Sequence, residues 1–157
     1  MDRAAKRIWY GVAFWLLLIF ATSSTVIPIS PFIQFVQCYI GSEIGKAQFA
    51  QFWRANGFFV VKGWHATEYA IVVLLCSKAL QTFTKWNYKK CIGATMLFAV
   101  LFAASDEWHQ TFVPGRDGCI RDVLIDSAGA ALAATYLLLK QRRRVRELVE
   151  EPVVPYT

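Results

Sequence analysis

The sequence predicts an all-α membrane protein with four transmembrane helices, and three observations carry that expectation. Apolar residues make up 56% of the 157 positions while charged residues fall to 18%, against ~45–50% and ~25% in ordinary soluble domains. From Ile8 to Ser42 there is no Asp, Glu, Lys, Arg or His. The formal net charge is nevertheless +6, and most of the basic residues gather beside the apolar runs. A disordered tail is excluded by the apolar content, and the length suits one domain, taken as 1–157.

The first span is placed at about 8–29, longer than the ~20 residues that cross a bilayer core. Asp2 to Arg7 followed by Ala21-Thr22-Ser23-Ser24 also suits a cleaved signal peptide. The apolar run outlasts a normal signal h-region, so it is read as a retained helix. The outer loop that follows carries Phe32, Phe35, Tyr39, Phe49, Phe52, Trp53, Phe58 and Phe59 among few charges. It is expected to lie in the membrane interface, either as an interfacial or re-entrant helix near Gly45 to Ala55 or as a plain aromatic belt, with Gly41, Gly45 and Gly57 breaking it into short pieces. The second span is placed at 58–83. The third apolar run, Cys91 to Ser105, is 15 residues, too short to cross, so its helix must extend and is placed at 88–108. The fourth is placed at 120–139, before a basic tail at 140–157.

Twelve of the 17 basic residues lie on one side of these spans: Arg3, Lys6 and Arg7; Lys78, Lys85, Lys89 and Lys90; Lys140, Arg142, Arg143, Arg144 and Arg146. The positive-inside rule then puts both termini in the cytoplasm and the loops around Pro31 to Val61 and Asp106 to Arg121 outside, in an inner or plasma membrane. The cluster at 140–146 is a topology anchor against anionic lipid. No nucleic-acid partner is expected.

The remaining charges concentrate at the outer helix ends. Lys62, His65 and Tyr69 fall at i, i+3 and i+7, and Asp122, Asp126 and Gly129 at i, i+4 and i+7, each set within about 60° of helical arc. Asp106 and Gln110 share a face, with Glu107 to one side. A charge facing lipid at the bilayer centre costs ~2.5–3.5 kcal/mol, so these stripes should face one another or a wet cavity. Single residues among them could be snorkelling anchors or members of a structural ion-pair network in which Lys62, Arg116 and Arg121 neutralise the carboxylates. For the whole set, an outward-facing polar cavity is the expectation.

The string Ser105-Asp106-Glu107-Trp108-His109-Gln110-Thr111-Phe112-Val113-Pro114-Gly115-Arg116, followed by Arg121-Asp122-Val123-Leu124-Ile125-Asp126-Ser127-Ala128-Gly129, resembles the VanZ-like family. So does the earlier Lys-x-x-His-x-x-x-Tyr pattern of Lys62, His65 and Tyr69. The three motifs come in the family's order, and the resemblance runs from Thr22 to Leu139. It departs at Asp126, where the family's pattern often has Asn. The resemblance implies a small polytopic bacterial membrane protein of the cell envelope, in a family named after a member linked to teicoplanin resistance. It implies no particular reaction.

The residues themselves suggest a membrane lipid or lipid-linked envelope precursor as partner, to be modified or hydrolysed. His65 is a candidate general acid or base, with Glu107 or Asp106 orienting its ring and Asp122 in the same catalytic set. Lys62, Tyr69, Gln110, Arg116, Arg121 and Asp126 are candidate substrate-binding residues, the arginines offering a two-pronged grip on an anion. The alternatives are a non-enzymatic lipid or drug binder or transporter, with Pro114, Gly115 and Gly118 as a mobile lid and, for transport, a homo-oligomer for which the small residues 129–134 offer a packing face, or a structural partner of an envelope complex. No cofactor is expected. A metal version would draw on His65, His109, Glu68, Glu107, Asp122 or Asp126, but no local metal motif such as HExxH occurs, so no metal is assigned. Cys38 and Cys119 both fall in outer loops where a disulfide is permitted, while Cys76 and Cys91 should be free. Neither Ser105 nor Ser127 sits in a G-x-S-x-G elbow.

Overall fold

A computed structural model describes residues 3–25 and 29–150. Residues 26–28 of the first predicted span and 151–157 of the predicted tail lie outside them. The described chain forms five helices: α1 (Arg3–Ser23), α2 (Ile29–Cys38), α3 (Glu43–Phe83), α4 (Tyr88–Gln110) and α5 (Ile120–Glu150). Four of these, all but α2, are long and apolar enough to cross a membrane. The expected all-helical, four-span architecture is therefore present.

The bounds differ instructively from the expected ones. Helix α1 starts at Arg3, and its 21 residues rise about 32 Å, close to the ~30 Å hydrocarbon thickness. The segment near Gly45 to Ala55 is not a separate re-entrant piece: it is the first part of α3, a 41-residue helix about 60 Å long. Gly45 and Gly57 lie inside that helix and do not break it. Only Gly41 lies in a true break, between α2 and the Ser42 N-cap, whose hydroxyl accepts from the Gly45 N–H at 3.0 Å. A helix twice the core thickness either tilts steeply or carries its first turns beyond the hydrocarbon. Those turns are where α2 packs, through Phe32 against Trp53 at 4.8 Å and Gln37 Nε2 donating to Lys46 O. At the other end of the bundle Asn87 caps α4, its Oδ1 accepting from Lys90 N–H.

The helices run alternately up and down, so one end gathers Ser23, Lys62, Asp106 and Asp122, and the other gathers Trp9, Phe83, Tyr88 and Lys140. Between them the core is built from small and medium residues: Val12 and Ile19 of α1, Val72, Val73 and Ala79 of α3, Ile92, Ala99 and Ala103 of α4, Ala130, Ala133 and Ala134 of α5. Large apolar side chains point the other way, with Phe14, Leu17, Leu97, Leu101, Leu124 and Leu132 all exposed. Small and polar inside with large and apolar outside is the pattern of a bundle whose solvent is lipid, where close backbone approach replaces the hydrophobic effect as the packing force.

Gly129 is the tightest example. A Cβ there would lie 2.0 Å from the carbonyl oxygen of Ala66, so only glycine lets α5 press against α3 at that level. The contact lies between Asp126 and the apolar core, and sets how closely the two polar stripes face each other.

Candidate functional site

Five carboxylates, Glu68, Asp106, Glu107, Asp122 and Asp126, are buried at the Ser23 end of the bundle, none more than 8% exposed. Three helices supply them, as the spacing of the stripes predicts. Lys62 reaches across from α3 and its ammonium donates to Asp122 Oδ2. On α4 the side-chain amide of Gln110 donates to both Asp106 Oδ2 and Glu107 Oε1 at 3.0 Å. Ser23 of α1 donates to the same Asp106 oxygen at 2.7 Å. Glu107 Oε2 accepts from the backbone N–H of Cys119 at 2.9 Å.

That last bond depends on a second close approach. A Cβ on Gly118 would lie 2.0 Å from the Glu107 carbonyl oxygen, so glycine lets the α4–α5 loop lie flat on α4 and brings Cys119 N–H to the carboxylate. Arg116 anchors the same loop to α1, its Nη2 donating to the carbonyls of Thr22 at 3.0 Å and Thr25 at 2.7 Å. The loop expected as a mobile lid is thus held to α1 by Arg116 and to α4 by Cys119.

Tyr69 stands at the centre. Its side chain is fully buried, Asp106, Asp126, Glu107 and Glu68 lie within electrostatic reach of it, and its hydroxyl has no hydrogen-bond partner among the described residues. The same is true of Asp126 Oδ1 and of Glu68 Oε1. Beside them, His65 Nδ1 lies 3.2 Å from Glu68 Oε2, with Asp126 and Lys62 also in electrostatic reach.

Nine of the ten predicted site residues meet here or at the rim: Lys62, His65, Tyr69, Asp106, Glu107, Gln110, Asp122 and Asp126 in the cluster and Arg116 on the loop above it. Arg121 points away. Its side chain is 68% exposed, 3.6 Å from Asp122 Oδ1, with the guanidinium over the Phe58 ring at 5.3 Å. Several expected partnerships differ. Glu68, not Glu107 or Asp106, sits against His65, one helical turn along the same helix. Arg116 is committed to backbone carbonyls and Lys62 to Asp122, so the grip on an anion expected of the three cations is not assembled. His109 faces α1, with Nε2 3.1 Å from Ser24 Oγ and its ring 4.7 Å from that of Phe20. The set of described residues able to offer three metal ligands is Glu107, Cys119 and Asp122, whose ligand atoms lie within 4.8 Å of one another. It is not the expected His-containing set, and Lys62 already occupies Asp122. All four cysteines are free, Cys38 exposed and Cys119 half-buried, so the permitted Cys38–Cys119 bridge is not formed.

Ser23 was left out of the expected site, and Glu68 was named there only among the metal candidates and not in the catalytic or binding set. Glu68 was findable, being three residues after His65 and so on the same face. Ser23 was not, since a serine at a helix end carries no signal until its neighbour across the bundle is known.

A multi-pass helical membrane protein with an acidic, buried cluster at one end of its spans is the class these features define. Within it, a family model described as VanZ/LLP1 matches residues 8–141, and the chain belongs to that family. No curated protein and no solved structure matches the chain.

Proposed function

We propose that the chain binds a lipid-linked or amphiphilic envelope substrate at the acidic end of the bundle, on the outer face of the cell membrane, and modifies or hydrolyses it. The observation that carries this reading is the imbalance of buried charge. Five enclosed carboxylates face Lys62, His65 and, at the exposed rim, Arg121, and buried charge is tolerated only when paired, neutralised by protons or matched by a ligand. The natural complement is a headgroup that donates hydrogen bonds or carries positive charge, such as hydroxyls or an amine. Phosphate is the poorer fit, because Lys62 and Arg116 are already engaged.

In this reading His65, held by Glu68, passes a proton to or from the reacting group. Tyr69 and Asp126, with unpartnered polar atoms beside it, orient the headgroup. The basic residues at the other end support placing this end outside, and membership of the VanZ/LLP1 family supports a link to glycopeptide susceptibility.

The test is expression of wild type, His65→Ala and Glu107→Gln in a host lacking the protein, with membrane abundance, teicoplanin susceptibility and the headgroup masses of lipid extracts measured together. Wild type should shift both susceptibility and headgroup composition, and both variants should lose the shifts at unchanged abundance. Full phenotype in both variants overturns the reading. A lost phenotype with unaltered headgroups in wild type assigns the site to binding or transport instead of turnover.

A further inference from the structure

The opposite end of the bundle holds a cleft of about 1020 Å³ between α3, α4 and α5, and the proposed reaction makes no use of it. Ser77 and Lys78 of α3, Tyr88 of α4, and Lys140, Arg143 and Arg144 of α5 contribute to its wall. Lys140, Arg143, Arg144 and Glu147 follow at i, i+3, i+4 and i+7, which places them on one face of α5. The tail arginines are therefore not one undifferentiated basic anchor. Arg142 lines a second, more apolar cleft of about 880 Å³ on the other side of α5, and Arg146 lines neither.

Three features mark the first cleft as a binding site. Among the described residues none of its four cations forms a salt bridge, although Glu147 shares the wall. Ser77 is 1% exposed, and its hydroxyl has no hydrogen-bond partner among the described residues. A buried hydroxyl left unpaired loses its hydration without replacement, and this one is at the foot of a basic wall. Finally, Leu74 and Leu139 line the same cleft, so it joins a cationic mouth to an apolar flank at a helix end.

We propose that this cleft binds a phosphate ester, with Arg143 and Arg144 taking the phosphate oxygens in forked hydrogen bonds, Lys78 and Lys140 adding charge, and Ser77 donating from below. Two sources share that chemistry: an anionic phospholipid, whose chains would run along Leu74 and Leu139, and a soluble phosphate ester. Basic pockets between membrane helices on the cytoplasmic side suit anionic headgroups. The site is independent of the acidic cluster and stands or falls without it.

Native mass spectrometry of the full chain in detergent tests the proposal, with phosphatidylglycerol, phosphatidylcholine and glycerol 3-phosphate as probes. One phosphatidylglycerol should be retained in preference to phosphatidylcholine, and Arg143→Gln or Arg144→Gln should each weaken retention about fivefold, the worth of one basic residue beside an anionic headgroup. Ser77→Ala, which removes the unpaired hydroxyl and keeps every charge, should weaken the preference. Arg146→Gln should leave it intact. Retention of glycerol 3-phosphate with the same variant pattern, and no advantage for the lipid, assigns the source as soluble. Equal retention of the two lipids with no retained glycerol 3-phosphate overturns the site. So does an Arg146→Gln effect equal to that of Arg143→Gln, which would make the tail's total charge, and not the cleft, responsible.

Discussion

The two ends of this bundle carry opposite charge and handle it in opposite ways. At the acidic end the carboxylates are enclosed between helices and held by Lys62, Gln110, Ser23 and the Cys119 N–H. At the other end Arg142, Arg143, Arg144 and Arg146 are all exposed, and the cation contacts found there are with rings, Lys90 over Trp86 at 4.7 Å and Lys140 over Tyr136 at 5.8 Å. The lesson is about desolvation. A charge at a helix end in water orients the chain at little cost, whereas a charge between helices requires a partner and fixes the geometry of whatever surrounds it.

The strongest way to break this contrast is to part the helices that enclose the acids. Gly129→Val sets side-chain atoms against the Ala66 carbonyl, backbone that cannot move aside, and is expected to destabilise the bundle by about 3 kcal/mol or more. Thermal unfolding in detergent should show a broad loss of the cooperative transition. Lys62→Met comes next, since it strips Asp122 of its enclosed cation and leaves it only the exposed Arg121. Breaking an enclosed pair costs ~3–5 kcal/mol, and because the Lys62 side chain keeps 20% exposure about 2–3 kcal/mol is expected. Asp126→Asn should instead be neutral or stabilising, as it removes charge from an overloaded cluster. A stability loss in Asp126→Asn equal to that of Lys62→Met would mean that the acids are fully compensated, and the contrast between the ends would lose its basis.

Smaller effects sharpen the comparison. Arg116→Met removes two hydrogen bonds from a charged donor to the end of α1, worth about 1–2 kcal/mol at this partly exposed position. Protease sensitivity of the α4–α5 loop should rise in step. Arg146→Gln touches no packed group and should stay within about 0.5 kcal/mol of wild type, with the orientation of the termini, read by reporter fusion, unchanged because the other basic residues remain.

Much of the acidic end was legible from spacing alone. Lys62, His65 and Tyr69, Asp122 and Asp126, and Asp106 with Gln110 each share a helix face because the helical period is fixed, and in a lipid-facing bundle such faces have nowhere to go but inward. Who partners whom was not legible. Glu68 stands against His65, and Arg116 reaches α1 carbonyls instead of a carboxylate, because these choices depend on how helices distant in sequence are rotated and offset. The length of α3 was also hidden: Gly45 and Gly57 suggest breaks, yet propensity penalties of about 1 kcal/mol per glycine are small beside the backbone hydrogen bonds that continuity preserves.

The sequence by itself determined the helical membrane class, the number of spans, the segregation of charge between the two ends and the family, because burial in lipid forces backbone groups to pair within each helix and makes apolar length and charge placement readable along the chain. Tertiary structure alone decided that α5 meets α3 through Gly129, that the α4–α5 loop is strapped to α1 and α4, that the acidic cluster outnumbers its cations, and that the basic end is divided between two clefts. These are relations across helices, set by packing at the scale of a single methyl group, and no local pattern encodes them.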